Sequence, residues 1–325
     1  MHKVVLIGAG RIGRIHARNA AFHTRIALAG VVDAVDAAAQ SLSQEYATPV
    51  LSLEQALADE SIAGVIIASS TDTHLDYSVR AAAAGKAIFC EKPIDQDLGR
   101  ARGAADQLSK AKLLLAFNRR FDPNFQALKA RLDSGAIGAL ESLQITSNDP
   151  SPPPPSYVAV SGGLFKDMAI HDFDMARWLL GEEPVEVYAA GSCLVDPEIG
   201  KLGDVDTART VLKTASGKLC VISNSRRSGF GYDQRIEAYA SSGMVRADNV
   251  TESTVQVWSE NGAAADRFQN FFLDRYAEAY RREMDHFADM LEGAEASVGY
   301  TDGVAALALA EAAAQSVKTG APVRL

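Results

Sequence analysis

Five short apolar runs alternate with helical patterns over residues 3–118. The runs are KVVLIGAG, IALAGVVD, IAGVIIASS, KAIFCEKP and KLLLAFN, and alanine-rich segments such as THLDYSVRAAAAG lie between them. Apolar runs of this length that are rich in Val, Ile and Leu are typical of strands buried on both faces. Strands separated by helices run parallel, because a parallel pair needs a long crossover connection. The alternation therefore predicts an α/β domain over residues 1–120, with a parallel sheet wrapped by helices.

The pattern changes in the second part of the chain, where strand-like runs follow one another without intervening helices. Turn signals such as Ser216-Gly217 and Ser242-Gly243 separate these runs, which predicts a large, open, mainly antiparallel sheet. Since 325 residues exceed what one core usually holds, we expect a second α/β domain over residues 121–325. Its last helix is free to pack back on the first domain. The run PSPPPPS (Pro150–Ser156) predicts a stiff polyproline stretch.

Charge and cysteine usage exclude several classes of partner. The net charge of −9 argues against nucleic acid and against an anionic membrane surface. No apolar run approaches the roughly 20 residues of a membrane-spanning helix, and no signal-peptide pattern is visible. The three cysteines are far apart, and no His, Cys or carboxylate spacing is typical of a metal site. We expect a cytoplasmic protein without a metal.

The segment GAGRIG follows the first strand and opens the first helix. Glycines at the first, third and sixth positions permit a tight turn, close approach to a pyrophosphate, and close packing of helix on strand. An acidic residue, Asp33, ends the next strand 20 residues after Gly13 and can accept hydrogen bonds from ribose hydroxyls. Its charge would repel a 2′-phosphate, so the expected cofactor is NAD rather than NADP. The predicted contacts of this segment are Gly8, Gly10, Arg11, Ile12, Gly13 and Asp33.

Two further strand ends carry polar residues at the edge where open parallel sheets bind ligands. The third strand ends in ASSTDTH, which makes Ser69, Ser70, Thr71 and His74 candidate cofactor contacts. Helix-start capping or packing is an equally good explanation for His74. The fourth strand ends in CEKP, which adds Glu91 and Lys92, and Lys92 is held extended because it precedes a proline. A solvated ion pair at the strand end is the alternative for these two.

The segment GGLFKDMAIHDFDM (Gly162–Met175) predicts a largely buried helix, since its apolar residues leave no broad polar face. Asp167, His171 and Asp174 occur at i, i+4 and i+7, which places them on one side of such a helix. Buried ionisable groups are costly without partners, so this side is expected to line a polar pocket. A histidine there is suited to remove a proton near neutral pH, and Asp167 to orient it.

Taken together and in this order, GAGRIG, Asp33, TDTH, EKP and KDMAIHDFD resemble the Gfo/Idh/MocA family of nicotinamide-dependent dehydrogenases. The resemblance spans nearly the whole chain. It implies an N-terminal Rossmann domain, a C-terminal domain with a large open sheet, and dimers or tetramers built through the exposed face of that sheet. It also implies that Lys92 reaches both cofactor and substrate, and that Asp167 and His171 are the family's Asp-x-x-x-His pair, with His171 as acid/base catalyst. The chain has Ser69-Ser70 where many members have Thr-Pro.

Three other segments, FNRRFDP, NDPSPPPP and SNSRRSGFGYDQRIEAYASSGM, resemble family members that oxidise inositol. They imply NAD-dependent oxidation of a cyclitol hydroxyl, most simply that of myo-inositol to its 2-keto product. Recognition of a polyol needs several convergent polar groups; the candidates are Asn118, Arg120, Asp174 and Tyr232. Arg120 has an internal salt bridge as its alternative, and Tyr232 a place as a loop aromatic. Another inositol isomer, an aldose sugar and a non-catalytic NAD-binding regulator are the alternative functions.

Overall fold

A computed structural model describes all 325 residues and divides the chain into two compact units. The first unit contains Met1–Phe121 and Ala279–Leu307, and the second contains Asp122–Glu278 and Ala308–Leu325. The predicted division between residues 120 and 121 assigned all later residues to the second domain, with only the last helix able to return. In the structure, the segment Ala279–Leu307 groups with the first unit, and the end of the last helix groups with the second.

The N-terminal part of the first unit alternates strands and helices. The strands are β1 (His2–Ile7), β2 (Ile26–Val32), β3 (Ile62–Ile67), β4 (Ala87–Glu91) and β5 (Leu113–Ala116). The helices are α1 (Arg11–Ala21), α2 (Asp36–Tyr46), α3 (Leu53–Ala58), α4 (His74–Ala83), α5 (Leu98–Gly103) and α6 (Ala105–Leu108), with 3₁₀ turns at Thr71–Thr73 and Asn118–Phe121.

The five strands form one parallel sheet in the order β2-β1-β3-β4-β5. Ile7 lies opposite Val32 of β2 and Ile67 of β3, and Ile67 lies opposite Cys90 of β4. The carboxyl ends of four strands therefore reach the same edge of the sheet. β2 lies on one side of β1 and β3 lies on the other, so the strand order reverses at β1. Open parallel sheets bind ligands at such a switch point.

The rest of the chain carries the following elements: α7 (Pro123–Asp133), β6 (Leu140–Asn148), α8 (Pro155–Ser161), α9 (Ile170–Leu180), β7 (Pro184–Ser192), α10 (Pro197–Lys201), β8 (Thr207–Thr214), β9 (Leu219–Ser225), β10 (Asp233–Ala240), β11 (Gly243–Ala247), β12 (Gln256–Ser259), β13 (Gly262–Ala265), α11 (Phe272–Arg275), α12 (Ala277–Leu291), α13 (Tyr300–Thr319) and β14 (Val323–Arg324). The boundary between the two units passes through α12 and α13.

The second unit is built on a seven-stranded sheet in the order β11-β10-β6-β9-β8-β7-β14. Every neighbouring pair is antiparallel except β6 and β9. Side chains alternate between a buried and an exposed face along β8 and β9, as expected for a sheet covered on one side. The predicted fold class, a Rossmann-type parallel sheet followed by a mostly antiparallel one, is confirmed.

The segment expected as one helix from Gly162 is built differently. Pro155 begins the separate helix α8, which ends at Ser161, so the proline run is not polyproline to its end. Gly162 and Gly163 then adopt φ of 84° and 82°, a conformation that side chains other than glycine rarely adopt. A π-helical turn, Phe165–Ala169, precedes α9. The extra residue per turn alters the side-chain spacing on which the i, i+4, i+7 prediction depended.

No helix of the structure is both long enough and apolar enough to cross a membrane.

Candidate functional site

The loop after β1 depends on two glycines that cannot carry a side chain. Gly8 has φ of 102°, and a Cβ there would lie 2.5 Å from the carbonyl group of Ala68. A Cβ on Gly13 would lie 1.9 Å from the carbonyl oxygen of Gly8, so only glycine lets α1 pack this close to the loop. A Cβ on Gly10, in contrast, would meet nothing within 4 Å. Gly10 faces open space, as required of a residue whose backbone approaches a ligand.

The N-terminus of α1 is open to an anion. Gly10 caps the helix without a side-chain hydrogen bond, and the first turn contains no acidic residue. The turn begins with Arg11, which is exposed, and Ile12, which is partly buried. Free N–H groups and the helix dipole favour a phosphate at such an end. These features fit the pyrophosphate of a dinucleotide.

Asp33 connects the glycine loop to the end of β2. Its Oδ2 accepts a hydrogen bond from the backbone N–H of Ala9, and its Oδ1 accepts one from Val35 at 2.7 Å. The carboxylate is thus fixed beside the loop, and each oxygen retains a lone pair for a ribose hydroxyl.

The loop after β3 is held by its own side chains. Ser69 Oγ lies 2.6 Å from Thr73 Oγ1, and Thr73 Oγ1 donates to the carbonyl of Ser70 at 2.7 Å. His74 is buried, with its ring nitrogens 2.8 Å from the carbonyl oxygen of Pro93 and 3.1 Å from that of Ser69. His74 therefore connects the loops after β3 and β4, which favours the packing explanation. Ser70 is exposed, and Ser69 and Thr71 are partly buried.

Glu91 and Lys92 are not a solvated pair at the strand end. Glu91 accepts a hydrogen bond from His16, whose ring is fully buried on α1, with 2.7 Å between Nε2 and Oε1. Lys92 is partly buried, and the peptide bond that joins it to Pro93 is cis. A buried histidine thus fixes the residue directly before Lys92.

A second carboxyl group lies near Glu91. Glu283 of α12 is fully buried, and neither of its carboxyl oxygens has a hydrogen-bond partner. Burial raises its pKa well above the ordinary value, and the charge of Glu91 raises it further. The surroundings of Glu283 therefore favour its protonated form.

In the second unit, Asp167 lies in the π-helical turn between two donors. The hydroxyl of Tyr157 on α8 donates to Oδ1 at 2.9 Å, and both terminal nitrogens of Arg226 lie 3.2 Å from Oδ2. Arg226 is buried just after β9. The aspartate is thus paired with a buried cation.

The other ionisable residues of this segment have different surroundings. His171, in the first turn of α9, is partly buried. Asp172 is fully buried and accepts a hydrogen bond from Asn224 at 2.7 Å, which is a structural role. Asp174 is also fully buried, with Arg177 3.8 Å from its carboxylate. Asp174 therefore has a cation of its own helix beside it, so its carboxylate is not available to a substrate alone.

The remaining substrate-binding candidates, Arg120, Asn118 and Tyr232, differ in the contacts that their side chains make within their own unit. Arg120 is buried and donates to Asp302 at 2.9 Å and to the carbonyl of Ser297, so the internal salt bridge is present. Asn118 is buried beside it in the chain, and its Oδ1 has no hydrogen-bond partner. Tyr232 is buried, with its ring edge-on to Tyr276 at a centroid distance of 6.0 Å.

Cysteine chemistry has no support in the structure. Burial raises the pKa of Cys90 to about 12 and raises that of Cys220 as well. Thiols in this state are not nucleophiles at neutral pH.

Sequence reasoning missed four residues that surround the predicted groups: His16, Tyr157, Arg226 and Glu283. One signal was available for Glu283, which lies four residues before Phe287 and three after Tyr280 on the buried side of α12. An acid at a core position of an amphipathic helix is unusual. The contacts of the other three join residues between 10 and 75 positions apart, which spacing does not reveal.

Comparisons with known proteins give a consistent picture. Residues 2–118 match the model of the oxidoreductase family with an NAD-binding Rossmann fold, and residues 125–246 match the GFO/IDH/MocA C-terminal domain. The chain is 48% identical to inositol 2-dehydrogenase of Rhizobium meliloti (strain 1021), over 96% of each chain.

Solved structures of inositol dehydrogenases are also similar to this chain. A crystal structure of a putative myo-inositol dehydrogenase from Sinorhizobium meliloti 1021 has a TM-score of 0.96 and 46% identity, with 100% of this chain and 99% of that chain covered. Scyllo-inositol dehydrogenase from Lactobacillus casei, with bound NAD(H) and scyllo-inositol, has a TM-score of 0.90 and 27% identity over 100% and 99% of the two chains.

Proposed function

The chain belongs to the GFO/IDH/MocA family of NAD-binding oxidoreductases, and from this premise we propose that it oxidises myo-inositol at the 2-hydroxyl to the 2-keto product, with NAD as acceptor. The observation that carries the proposal is the 48% identity to an inositol 2-dehydrogenase over 96% of both chains. The chain also retains the EKP motif and the Asp-x-x-x-His pair.

NAD is the cofactor, and when bound its nicotinamide accepts the hydride. Gly8, Gly10 and Gly13 let the backbone approach the pyrophosphate, and Asp33 accepts hydrogen bonds from the adenosine ribose. We assign the remaining cofactor contacts to the ends of α1, β3 and β4, namely Arg11, Ile12, Ser69, Ser70, Thr71, Glu91 and Lys92. His74 holds the β3 and β4 loops together beneath them.

Removal of hydride from carbon also requires removal of a proton from oxygen. We assign the base to His171, because imidazole is the side chain suited to this task near neutral pH. Asp167 orients the imidazole and stabilises its protonated form. Lys92 donates a hydrogen bond to the reacting oxygen and stabilises developing negative charge on it.

Substrate contacts are assigned to Asn118 and Tyr232. The buried, unpartnered Oδ1 of Asn118 is suited to accept a hydrogen bond from a hydroxyl group. For Arg120 and Asp174, the ion pairs with Asp302 and Arg177 support a role in fixing the surrounding structure.

The activity is tested by mixing purified protein with myo-inositol and NAD and following NADH absorbance. His171→Ala is expected to lower turnover by about 10²–10⁴-fold while NAD binding is preserved. Asp172→Asn is the control, because it changes the neighbouring acid, which contacts Asn224. It shows how much activity is lost when the structure of this segment is disturbed while His171 is kept. If His171→Ala turns over at the wild-type rate, the assignment of the base is wrong.

A second candidate substrate is another inositol isomer, and the L. casei relative with bound scyllo-inositol is the observation that favours it. Inositol isomers differ only in the orientation of hydroxyls, so small differences in the pocket decide between them. Ranking kcat/KM over myo-inositol, scyllo-inositol and aldoses, each with NAD and NADP, distinguishes these substrates. The first proposal predicts that myo-inositol with NAD ranks highest.

The enzyme is further proposed to form a homo-oligomer, a tetramer or a dimer, through the open face of the large sheet. Tyr188, Val211 and Val221 lie side by side across β7, β8 and β9, and all three are exposed. A contiguous apolar row on a sheet face is typical of an interface. Val221→Glu is expected to shift the species in sedimentation velocity towards monomer, whereas Leu202→Glu, an exposed apolar position off the sheet, should not. A wild-type monomer would contradict this proposal.

The three free cysteines, two of them buried, support the proposal that the enzyme works in a reducing compartment, the cytoplasm.

A further inference from the structure

Asp167 is held by donors from two different parts of the second unit. Arg226 follows β9, and its backbone N–H donates to the carbonyl of Asp206 at 2.8 Å, so the position of the residue is fixed. Its guanidinium lies 3.2 Å from Oδ2 of Asp167 through both terminal nitrogens. Tyr157 approaches the other oxygen, Oδ1, from α8.

The two donors differ in burial and in charge. Arg226 is 1% exposed, whereas Tyr157 is 47% exposed. A buried guanidinium is always charged and strongly hydrogen-bonded to a nearby carboxylate. Tyr157 contributes a neutral hydrogen bond. Arg226 therefore supplies a positive charge to Asp167 from the buried side.

Other charged groups on the neighbouring elements have partners of their own. Lys166, in the same π-helical turn, donates to Glu311 of α13 at 3.0 Å. Asp204 accepts from the backbone N–H of Leu164 at 3.0 Å, and Asp172 accepts from Asn224. Arg226 makes a direct ion pair with Asp167.

We propose that Arg226 is a positioning residue for the dehydrogenase reaction, which fixes the Asp167 carboxylate and balances its charge so that His171 remains a base near neutral pH. This inference rests on the proposed function, because it assigns a partner to the pair Asp167 and His171. Loss of the guanidinium removes a positive charge beside Asp167, so the imidazole of His171 would hold its proton more tightly. This effect removes the active protonation state at low pH.

The test is the dependence of kcat/KM on pH, measured with saturating NAD. In Arg226→Gln the acidic limb is expected to move to higher pH by about one unit or more, the size of shift that a close opposite charge produces. Arg226→Lys keeps the charge and should keep the limb near its wild-type position. Tyr157→Phe removes a hydrogen bond of Asp167 but no charge, so its limb should also stay in place, which makes it the matched control.

A purely structural role for Arg226 predicts a different result, namely lower thermal stability and lower activity at all pH values with no movement of the limb. That result would overturn the proposal. If Arg226→Gln alone does not fold, Asp167→Asn/Arg226→Gln leaves no unpaired buried charge and is compared with Asp167→Asn. The proposal predicts an acidic limb near the wild-type position in the double variant, because the two lost charges offset each other at His171, and a limb at lower pH in Asp167→Asn, where the charge of Arg226 is unbalanced. The same limb in these two variants contradicts it.

Failure of the inference is distinguishable from failure of the proposed function. Absence of inositol turnover by the wild-type enzyme refutes the function, and the profiles are then measured on whichever polyol the substrate panel identifies. A wild-type enzyme that is active on inositol, with unchanged limbs in Arg226→Gln, refutes only the role of Arg226.

Discussion

The buried carboxyl of Glu283 makes a quantitative prediction for the pH dependence of stability. Glu283 is fully buried, and neither oxygen has a hydrogen-bond partner. Burial raises its pKa well above the ordinary value, and the charge of Glu91 adds to the effect. In the unfolded chain the group titrates near pH 4.3 (about the value of a free glutamate). Between that pH and the folded-state pKa, only the unfolded chain has released the proton.

The free energy of unfolding therefore decreases as pH rises through this window, by up to about 1.4 kcal/mol per pH unit. The stability associated with protonated Glu283 is fully present below the unfolded-state pKa and is lost as pH rises through the folded-state pKa. Glu283→Gln keeps the shape and has no proton to lose, so its melting temperature relative to wild type should rise with pH. For a unit of roughly 150 residues, the slope corresponds to about 3–6 °C per pH unit.

The assay is differential scanning calorimetry from about pH 4.5 to 7.5. The transition of the first unit is identified by its shift to higher temperature when NAD is added, since a ligand stabilises the unit that binds it. Glu295→Gln, an exposed position beyond the end of α12, is the control and should show no such trend. If the melting temperatures of wild type and Glu283→Gln vary with pH in parallel, the reasoning is refuted, because the stability associated with a protonated buried carboxyl must depend on pH in this range.

Three other predictions follow from particular contacts. Gly13→Ala places a Cβ 1.9 Å from the Gly8 carbonyl oxygen, so we expect a lower melting temperature of the first unit and weaker NADH binding by fluorescence titration; a wild-type melting temperature would contradict this. Asp33→Ser removes a charge that repels a 2′-phosphate, and like charges about 4 Å apart cost about 1–4 kcal/mol. The ratio of kcat/KM for NADP over NAD should then rise by about tenfold or more, and an unchanged ratio would show that Asp33 does not select the cofactor. Asp122→Ala removes the N-cap of α7 and the partner of buried Arg275, so urea unfolding should show a loss of about 3–5 kcal/mol, and a loss below about 1 kcal/mol would mean that the pair is not stabilising.

Local sequence signals were sufficient for the parallel sheet and for its cofactor edge. Glycine is required at position 13 because a Cβ there would meet the carbonyl oxygen of Gly8, five residues earlier. It is required at position 8 because a Cβ there would meet the carbonyl group of Ala68, just after β3. Asp33 is predictable because it directly follows Val32, the last residue of β2, which lies opposite Ile7. The spacing between the glycines and the acid is fixed by the geometry of one strand–loop–helix unit and the strand that follows it. These residues are close in sequence, so the pattern can be recognised without the structure.

Two kinds of feature could not be predicted in this way. The π-helical turn at Phe165–Ala169 breaks the period of 3.6 residues on which any alignment of Asp167 with Asp174 depends. The partners of Asp167 and Glu91 come from distant parts of the chain, since Arg226 and His16 meet them only after the sheets have formed. The contact that requires glycine at position 163 is also distant in sequence, since the Asp204 side chain lies 2.8 Å from where a Cβ would be.

The central claim, oxidation of myo-inositol at carbon 2 by NAD, is tested most directly with myo-inositol that carries deuterium at C2. The account predicts that deuterium is transferred to the nicotinamide ring, that the product is the 2-ketone, and that His171→Ala forms this product far more slowly. Turnover that yields unlabelled NADH and a ketone at another carbon would contradict the assigned position of oxidation. Absence of NADH formation with myo-inositol would contradict the substrate itself.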